Sequence, residues 1–336
     1  MTATLSMLDR TRAYAQPALR AAVGRLDPTC RLVASYHLGW CDTDGRPAEA
    51  GGGKAVRPAL AMLAAEAVGE PAAIALPGAV AVELVHNFSL LHDDLLDGDK
   101  ERRHRPTAWA VWGPATAILT GDALLALAHE VVLESESSGA ARAAWTLATT
   151  TRELTRGQTQ DIAFETRADV TLDECLAMAA AKTGSLLAAS AAIGGLLAGA
   201  PPPTVEALRT FGAEFGLAFQ FVDDVLGIWG DPAVTGKPVH SDLRARKKSL
   251  PVAYAYGRGI ADPAFADWLA GAGEADPSGV GRIAELLSEA GARDWALDEA
   301  RRRMVAAERA LCAVDLDPVA RAELLALARF VVDRDS

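Results

Sequence analysis

Five carboxylates, Asp93, Asp94, Asp97, Asp99 and Glu101, fall within nine residues of the stretch LLHDDLLDGDKERRHRP, and arginine or histidine fills each of the next four positions. Like charges four apart on a helix cost stability, so a group outside the chain is expected to offset them. On a helix Asp93 and Asp97 share a face, with His86 two turns below. Hard oxygen ligands at that spacing suit Mg²⁺, which prefers a few carboxylates with water and substrate phosphates to an all-protein cage. A single cluster of this kind is commonly a solvated helix end. This chain has two, because FQFVDDVLGIWGD repeats the pair as Asp223 and Asp224 at the end of another apolar run.

The cations decide what such a metal would be for. Arg102, Arg103 and Arg105 follow the first pair, and guanidinium forks suit bidentate phosphate binding. Lys237, Arg246, Lys247 and Lys248 follow the second pair in GDPAVTGKPVHSDLRARKKSLP. A third group, Lys54 and Arg57, lies in GGGKAVRP, where Pro58 is placed to open a helix. Any one of these alone reads as solvated surface charge. Three groups around two acidic pairs point to a site for two diphosphates, one held through metal and one held directly.

The elements that must position these groups are helices. Ala, Leu, Glu and Arg dominate and alternating strand patterns are absent, so helices are expected nearly everywhere and no strand is predicted. Breaks at 42–53, 70–77, 112–114, 135–139, 199–203, 230–238 and 271–279 cut the chain into about ten helical pieces. No shift of composition marks a second domain, so residues 1–336 read as one helical domain. A formal charge of -11 and a pI near 5.1 argue against a general nucleic-acid binder, which needs a basic surface. Cys30, Cys41, Cys175 and Cys312 have none of the paired spacings of a zinc or redox site. They read as reduced thiols of a cytoplasmic protein. Charged residues interrupt the first twenty positions, so no export signal is expected. The uncharged stretch TGSLLAASAAIGGLLAGAPPP, from Thr183 to Pro203, approaches spanning length. Its Ala, Gly and Ser content fits a buried central helix better, and no membrane span is expected.

Taken in order, GGGKAVRP, VELVHNFSLLHDDLLD, RRHRPTAW, LTGDALL, GQTQD, KTG, GLAFQFVDDVLG and GDPAVTGKPVHSDLRARKKSLP cover nearly the whole chain. With these motifs it resembles the trans-isoprenyl diphosphate synthases of the polyprenyl synthetase family, and among them the bacterial geranylgeranyl diphosphate synthases. The resemblance implies an all-α, isoprenoid synthase-type helical bundle around a central cavity, packed as a homodimer. It implies a prenyltransferase that condenses isopentenyl diphosphate with an allylic diphosphate, with Mg²⁺ as cofactor. Asp93, Asp97 and Asp223 would hold metal, with Asp94 and Asp224 supporting them. Arg102, Lys182, Thr183, Gln220, Lys237 and Lys247 would contact the allylic partner. Lys54, Arg57, His86 and Arg103 would bind isopentenyl diphosphate without metal. Within these sets, Asp93, Asp97, Arg102, Lys182, Asp223 and Lys237 would carry the ionisation step.

Two positions depart from the family pattern. Gly227 stands where the second motif usually ends in aspartate, although Asp231 follows, and Ala55 stands where a basic residue often follows the lysine of the first motif. Product length would be set below Asp93. Phe88, five positions earlier and about 7.5 Å along the helix, would form the floor with the small Ser89 beside it, and an aromatic there resembles enzymes making the C20 product. Two other readings remain open on the sequence. One is a terpene cyclase on the same fold, which would have no use for Lys54, Arg57, His86 and Arg103. The other is a non-catalytic regulatory subunit, which would have no reason to keep the first aspartate motif whole.

Overall fold

The computed structural model describes residues 2–48, 53, 55–232, 239–271 and 277–332. The chain divides into two compact units, one of Met1–Thr151, Ala189–Arg209 and Val314–Leu327, the other of Arg152–Ala188, Thr210–Ala313 and Ala328–Ser336.

The first unit begins with α1 (Thr2–Val23), α2 (Pro28–His37) and α3 (Val56–Ala67), and α4 (Leu76–Leu96) carries the first aspartate motif at its C-terminal end. Ala79, Val80, Ala81, Val82, Leu84 and Val85 of α4 are all buried, so this helix is apolar on every side, as a central helix must be. After α4 comes a feature the composition did not predict. Glu101–Arg102 and Arg105–Pro106 form a two-residue antiparallel ladder. Arg103 and His104 turn its corner with φ of 53° and 59°. Both central residues at positive φ is the geometry of a tight hairpin turn normally given to Asn-Gly, and two residues per strand leave no alternating pattern to read. Next come α5 (Ala108–Trp112) and α6 (Pro114–Leu133), which packs along α4 and buries Leu124, Leu127, Ala128 and Val132.

The long helix α7 (Ala140–Glu165) leads to α8 (Leu172–Ala179), opened by a capping box in which Thr171 and Glu174 satisfy each other's backbone N–H groups. A single π-turn, Ala180–Gly184, separates α8 from α9 (Ser185–Leu197), and α10 (Pro202–Trp229) carries the second aspartate motif. Ala188, Ala189, Ala191, Ala192, Ile193, Leu196 and Leu197 are buried in α9, as expected of the uncharged stretch. By length and hydropathy alone 72–96, 114–133 and 172–197 could each cross a bilayer, but 67% and 61% of the first and third windows lie inside the protein. Short helices Ser241–Arg244, Leu250–Gly257 and Pro263–Leu269 and longer ones at Pro277–Glu289, Ala292–Cys312 and Pro318–Val332 complete the chain. In the second unit Ile228, Leu243, Val252, Phe265, Trp268, Ile283 and Leu287 form one apolar cluster. Trp295 joins Phe221 edge-on at 5.5 Å and stacks on Tyr254 at 4.3 Å.

Candidate active site

The aspartates of the first motif differ sharply in environment. Asp93 is half-buried and Asp97 exposed, and the Asp97 N–H still donates to the Asp93 carbonyl at 2.8 Å, so helical spacing persists to the end of the motif. Asp94 is 1% exposed and accepts from Arg102 Nε at 2.6 Å, while its Oδ2 is buried without a partner. Burial pushes the Asp94 carboxyl up, and Arg102 opposes that shift. Arg102 therefore ties the hairpin to α4. Arg105 is also engaged, donating to the carbonyls of Tyr36 and Cys41 at 3.0 and 2.8 Å and stacking on the Tyr36 ring. That leaves Arg103.

Arg103 makes no hydrogen bond among the described residues, and neither does the ring of His86. The Nε of Arg57 is buried without a partner. These three groups share one neighbourhood, since burial first, then Arg57 and Arg103, hold the His86 imidazole well below its usual range. Burial also raises Glu83, against the pull of Arg57 and Arg103. Two guanidiniums beside a neutral imidazole, opposed electrostatically by Glu83 but making no hydrogen bond among the described residues, would be completed by an anion, and the left-handed backbone at Arg103 is strain of the kind that collects at functional sites. A cleft of about 570 Å³ opens beside them, lined by Arg103, Glu83, Asn87, Arg20 and Ala55. Lys54, assigned to the same group from sequence, lies outside the described residues.

Around the second motif the polar groups are already joined to one another. Gly157 of GQTQD lets α7 come within van der Waals range of the π-turn, where an added Cβ would lie 2.4 Å from the Lys182 nitrogen. That approach brings Asp161 to Lys182 Nζ at 2.5 Å. Single π-turns recur at functional positions, and this one carries both Lys182 and Thr183. Gly216 of α10 meets Gly184 across the same turn. Thr183 then donates to Gln220 at 2.6 Å, Gln220 to Asp224 at 2.7 Å, and the Leu250 N–H to the other Asp224 oxygen at 2.8 Å. Burial still pushes Asp224 up to about 7. Asp223 beside it is exposed, as is Lys247, whereas Lys248 is buried with its ammonium 4.9 Å from the Trp268 ring. Lys237 lies outside the described residues.

The departure at Gly227 has a physical cause. A Cβ there would lie 2.1 Å from Oδ2 and 2.4 Å from Cγ of Asp242, so a carboxylate from a later helix fills the space that an aspartate would need. No sequence signal announced this, because nothing in the spacing of Asp242 from Gly227 along the chain shows that the two meet. Phe88 is 8% exposed and sits edge-on to His92 at 4.8 Å, and Ser89 is buried with its hydroxyl donating to the His86 carbonyl. Three participants were missed by the motif reading: Asp161 as the partner of Lys182, Asp242 against Gly227, and His37 beside the hairpin. Asp161 was visible within GQTQD and Asp242 within GDPAVTGKPVHSDLRARKKSLP, but His37 stands in no motif.

Among the described residues no three His, Cys, Asp or Glu side chains form a metal site by themselves. The pair Asp93 and Asp97, one turn apart at the end of α4, nonetheless fits Mg²⁺ by donor type, and water and phosphate oxygens would supply its remaining positions.

Residues 47–289 match the family described as polyprenyl synthetase. The chain is 51% identical to a (2E,6E)-farnesyl diphosphate synthase of Mycobacterium tuberculosis over 99% of its own length and 94% of that protein. It is 42% identical to a geranylgeranyl diphosphate synthase of the same organism, over 98% and 94%. A crystal structure of a polyprenyl synthetase from Streptomyces coelicolor A3(2) superposes with a TM-score of 0.92 at 52% identity, over 97% of this chain and 99% of that one. The chain belongs to the polyprenyl synthetase family. It has the all-helical isoprenoid synthase fold and is a trans-prenyltransferase.

Proposed function

We propose that the enzyme condenses isopentenyl diphosphate with an allylic diphosphate to a linear, short-chain trans-prenyl diphosphate, with Mg²⁺ as cofactor. The observation that carries this reading is the group Arg57, His86 and Arg103, left without hydrogen-bond partners beside a complete aspartate motif. A cyclase needs one diphosphate site and would have no use for a second set of cations.

Asp93 and Asp97 would hold the metal, the family resemblance assigns Asp223 the same role, and a bound metal would neutralise charge on the departing diphosphate. Asp94 keeps Arg102 aimed from the hairpin. Lys182, Thr183, Gln220, Lys237 and Lys247 orient the allylic diphosphate, with Asp161 and Asp224 fixing the first three. Lys54, Arg57, His86 and Arg103 hold isopentenyl diphosphate directly. As the allylic carbon–oxygen bond breaks, the alkene of isopentenyl diphosphate attacks the same carbon, and the released diphosphate takes the proton lost from the new product. Exclusion of water from the cationic carbon protects the step.

Phe88, backed by His92, is the floor of the tail channel and stops growth in the short-chain range. Its position relative to Asp93 supports a C20 product. A C15 product is the second reading, supported by the relative named as a farnesyl diphosphate synthase. Phe88→Ala is expected to lengthen the product by at least one C5 unit, and an unchanged distribution would remove Phe88 from that role. The enzyme acts as a cytoplasmic homodimer: Ile118, Leu119, Leu133 and Trp145 are 41%, 62%, 58% and 69% exposed on α6 and α7, an apolar surface suited to a second copy. Light scattering on the purified protein tests that assignment.

The deciding experiment incubates purified protein with Mg²⁺, labelled isopentenyl diphosphate and, separately, C5, C10 and C15 allylic diphosphates, with extracts analysed before and after phosphatase. A linear C15 or C20 alcohol released only by phosphatase is expected. A cyclic or hydrocarbon product formed without phosphatase would establish a cyclase, and turnover that required an added partner would establish a regulatory subunit.

A further inference from the structure

His37 ends α2 and belongs to none of the motifs, yet its position is tightly determined. The residue before it, Tyr36, is 5% exposed and held from several directions. Its hydroxyl donates to the Pro106 carbonyl at 2.8 Å, its carbonyl accepts from Arg105 at 3.0 Å, and its ring lies under the Arg105 guanidinium at 4.0 Å and edge-on to Trp112 at 4.9 Å. Both Arg105 and Pro106 belong to the second strand of the hairpin whose first strand ends at Arg102 and whose turn is Arg103. Clamping Tyr36 to that strand fixes the next residue against the turn.

His37 and Arg103 accordingly line one small cavity of about 40 Å³, together with Asp94, Arg102 and Arg105. A space of that size holds a water molecule or a phosphate oxygen. The basic groups around it are unequally committed. Arg102 is bound to Asp94 and Arg105 to two backbone carbonyls, but the His37 ring, like Arg103, makes no hydrogen bond among the described residues. His37 also lies close enough to His86 to help depress it. The imidazole itself is pushed down to about 3, by burial first and then by Arg102, Arg103 and Arg105. At neutral pH it is therefore an uncharged ring with one N–H to give, set among fixed positive charges.

We propose that His37 is a further binding residue of the metal-free diphosphate site, donating a ring N–H to a phosphate oxygen of isopentenyl diphosphate beside Arg103 and His86. The inference rests on the function proposed above and adds a residue to it. A neutral donor suits this place, because another full cation beside three arginines would have to be desolvated and held against repulsion before substrate arrived.

The test is calorimetric binding of isopentenyl diphosphate in EDTA, with no allylic substrate, so that neither metal nor turnover contributes. Wild-type protein is expected to bind. His37→Ala should weaken binding about tenfold, the equivalent of about 1.4 kcal/mol for a lost hydrogen bond to a charged group. His37→Phe keeps the ring volume without the donor and should lose as much, while His37→Gln, whose amide can donate, should stay within about threefold of wild type. The KM for the allylic diphosphate, measured with Mg²⁺, should be unchanged in all three. Wild-type affinity in His37→Phe would overturn the proposal while leaving the site's function intact. Equal loss for both substrates in every variant would reduce His37 to a packing role, which also overturns it. Failure of the wild type to bind without metal would overturn the reading of the site and the inference with it.

Discussion

The two aspartate regions of this enzyme solve opposite problems. Around the second motif, Thr183, Gln220, Asp224 and the Leu250 N–H are joined in one hydrogen-bonded line, and Lys182 is paired with Asp161. Around the first, Arg102 is bound to Asp94, but Arg57, His86, Arg103 and His37 make no hydrogen bonds among the described residues. One region is hydrogen-bonded within itself, and the other keeps donors that the proposed diphosphate would complete. A ligand whose diphosphate meets metal needs a rigid frame for the carboxylates, whereas a diphosphate bound directly needs uncommitted donors. Arg57 and Arg103, opposed by Glu83 but without hydrogen bonds among the described residues, would gain stability from an anion bound there as proposed.

The contrast can be broken at several points. Removal of a metal carboxylate should have the largest effect: Asp93→Ala should lower kcat by about a thousandfold or more, with the melting temperature nearly unchanged because the residue is only half-buried. Arg103→Ala should raise the KM for isopentenyl diphosphate about a hundredfold and leave the allylic KM alone. Loss of affinity for both substrates would mean that Arg103 is not confined to the direct site. In the second region Gly227→Asp, which restores the usual family residue, should destabilise the protein by about 1–3 kcal/mol in urea unfolding, since Asp242 already fills the space. Gly227→Asp combined with Asp242→Gly should recover part of that loss; no recovery would mean that the crowding comes from elsewhere. Thr183→Ala should cost about 1 kcal/mol, because it ends the line that orients Gln220.

Acid sharpens the same comparison with smaller effects. The folded His37 imidazole titrates at about 3, far below the unfolded value near 6.5. Its neutral form stabilises the fold above that value, and the contribution is lost as pH falls from 6.5 toward 3. Asp224 runs the other way. Its folded value of about 7 exceeds the unfolded 3.8, so the fold gains stability as pH falls through that interval and loses it as pH rises. Unfolding stability in urea with EDTA should therefore fall less between pH 7 and 5 for His37→Gln than for wild type, and more for Asp224→Asn.

Much of the site was legible because its parts are local. Asp93, Asp97 and His86 recur at helical spacing, and helix periodicity puts them on one face whatever surrounds them. The hairpin was not legible. Its two-residue strands carry Arg, Glu and Pro, and its turn places Arg103 and His104 at positive φ, which only the tertiary clamp on Tyr36 and the Arg102–Asp94 ion pair enforces. Reading three arginines after the first motif as equivalent phosphate binders was too generous, since Arg105 is committed to backbone carbonyls.

Sequence alone therefore determined the helical class, the two acidic pairs and the family, because helix periodicity and short motifs depend on residues close in the chain. Tertiary structure decided which cations stay uncommitted, why residue 227 is glycine, and that His37 stands beside Arg103. Those outcomes depend on distances between residues far apart in sequence, and no spacing along the chain encodes them.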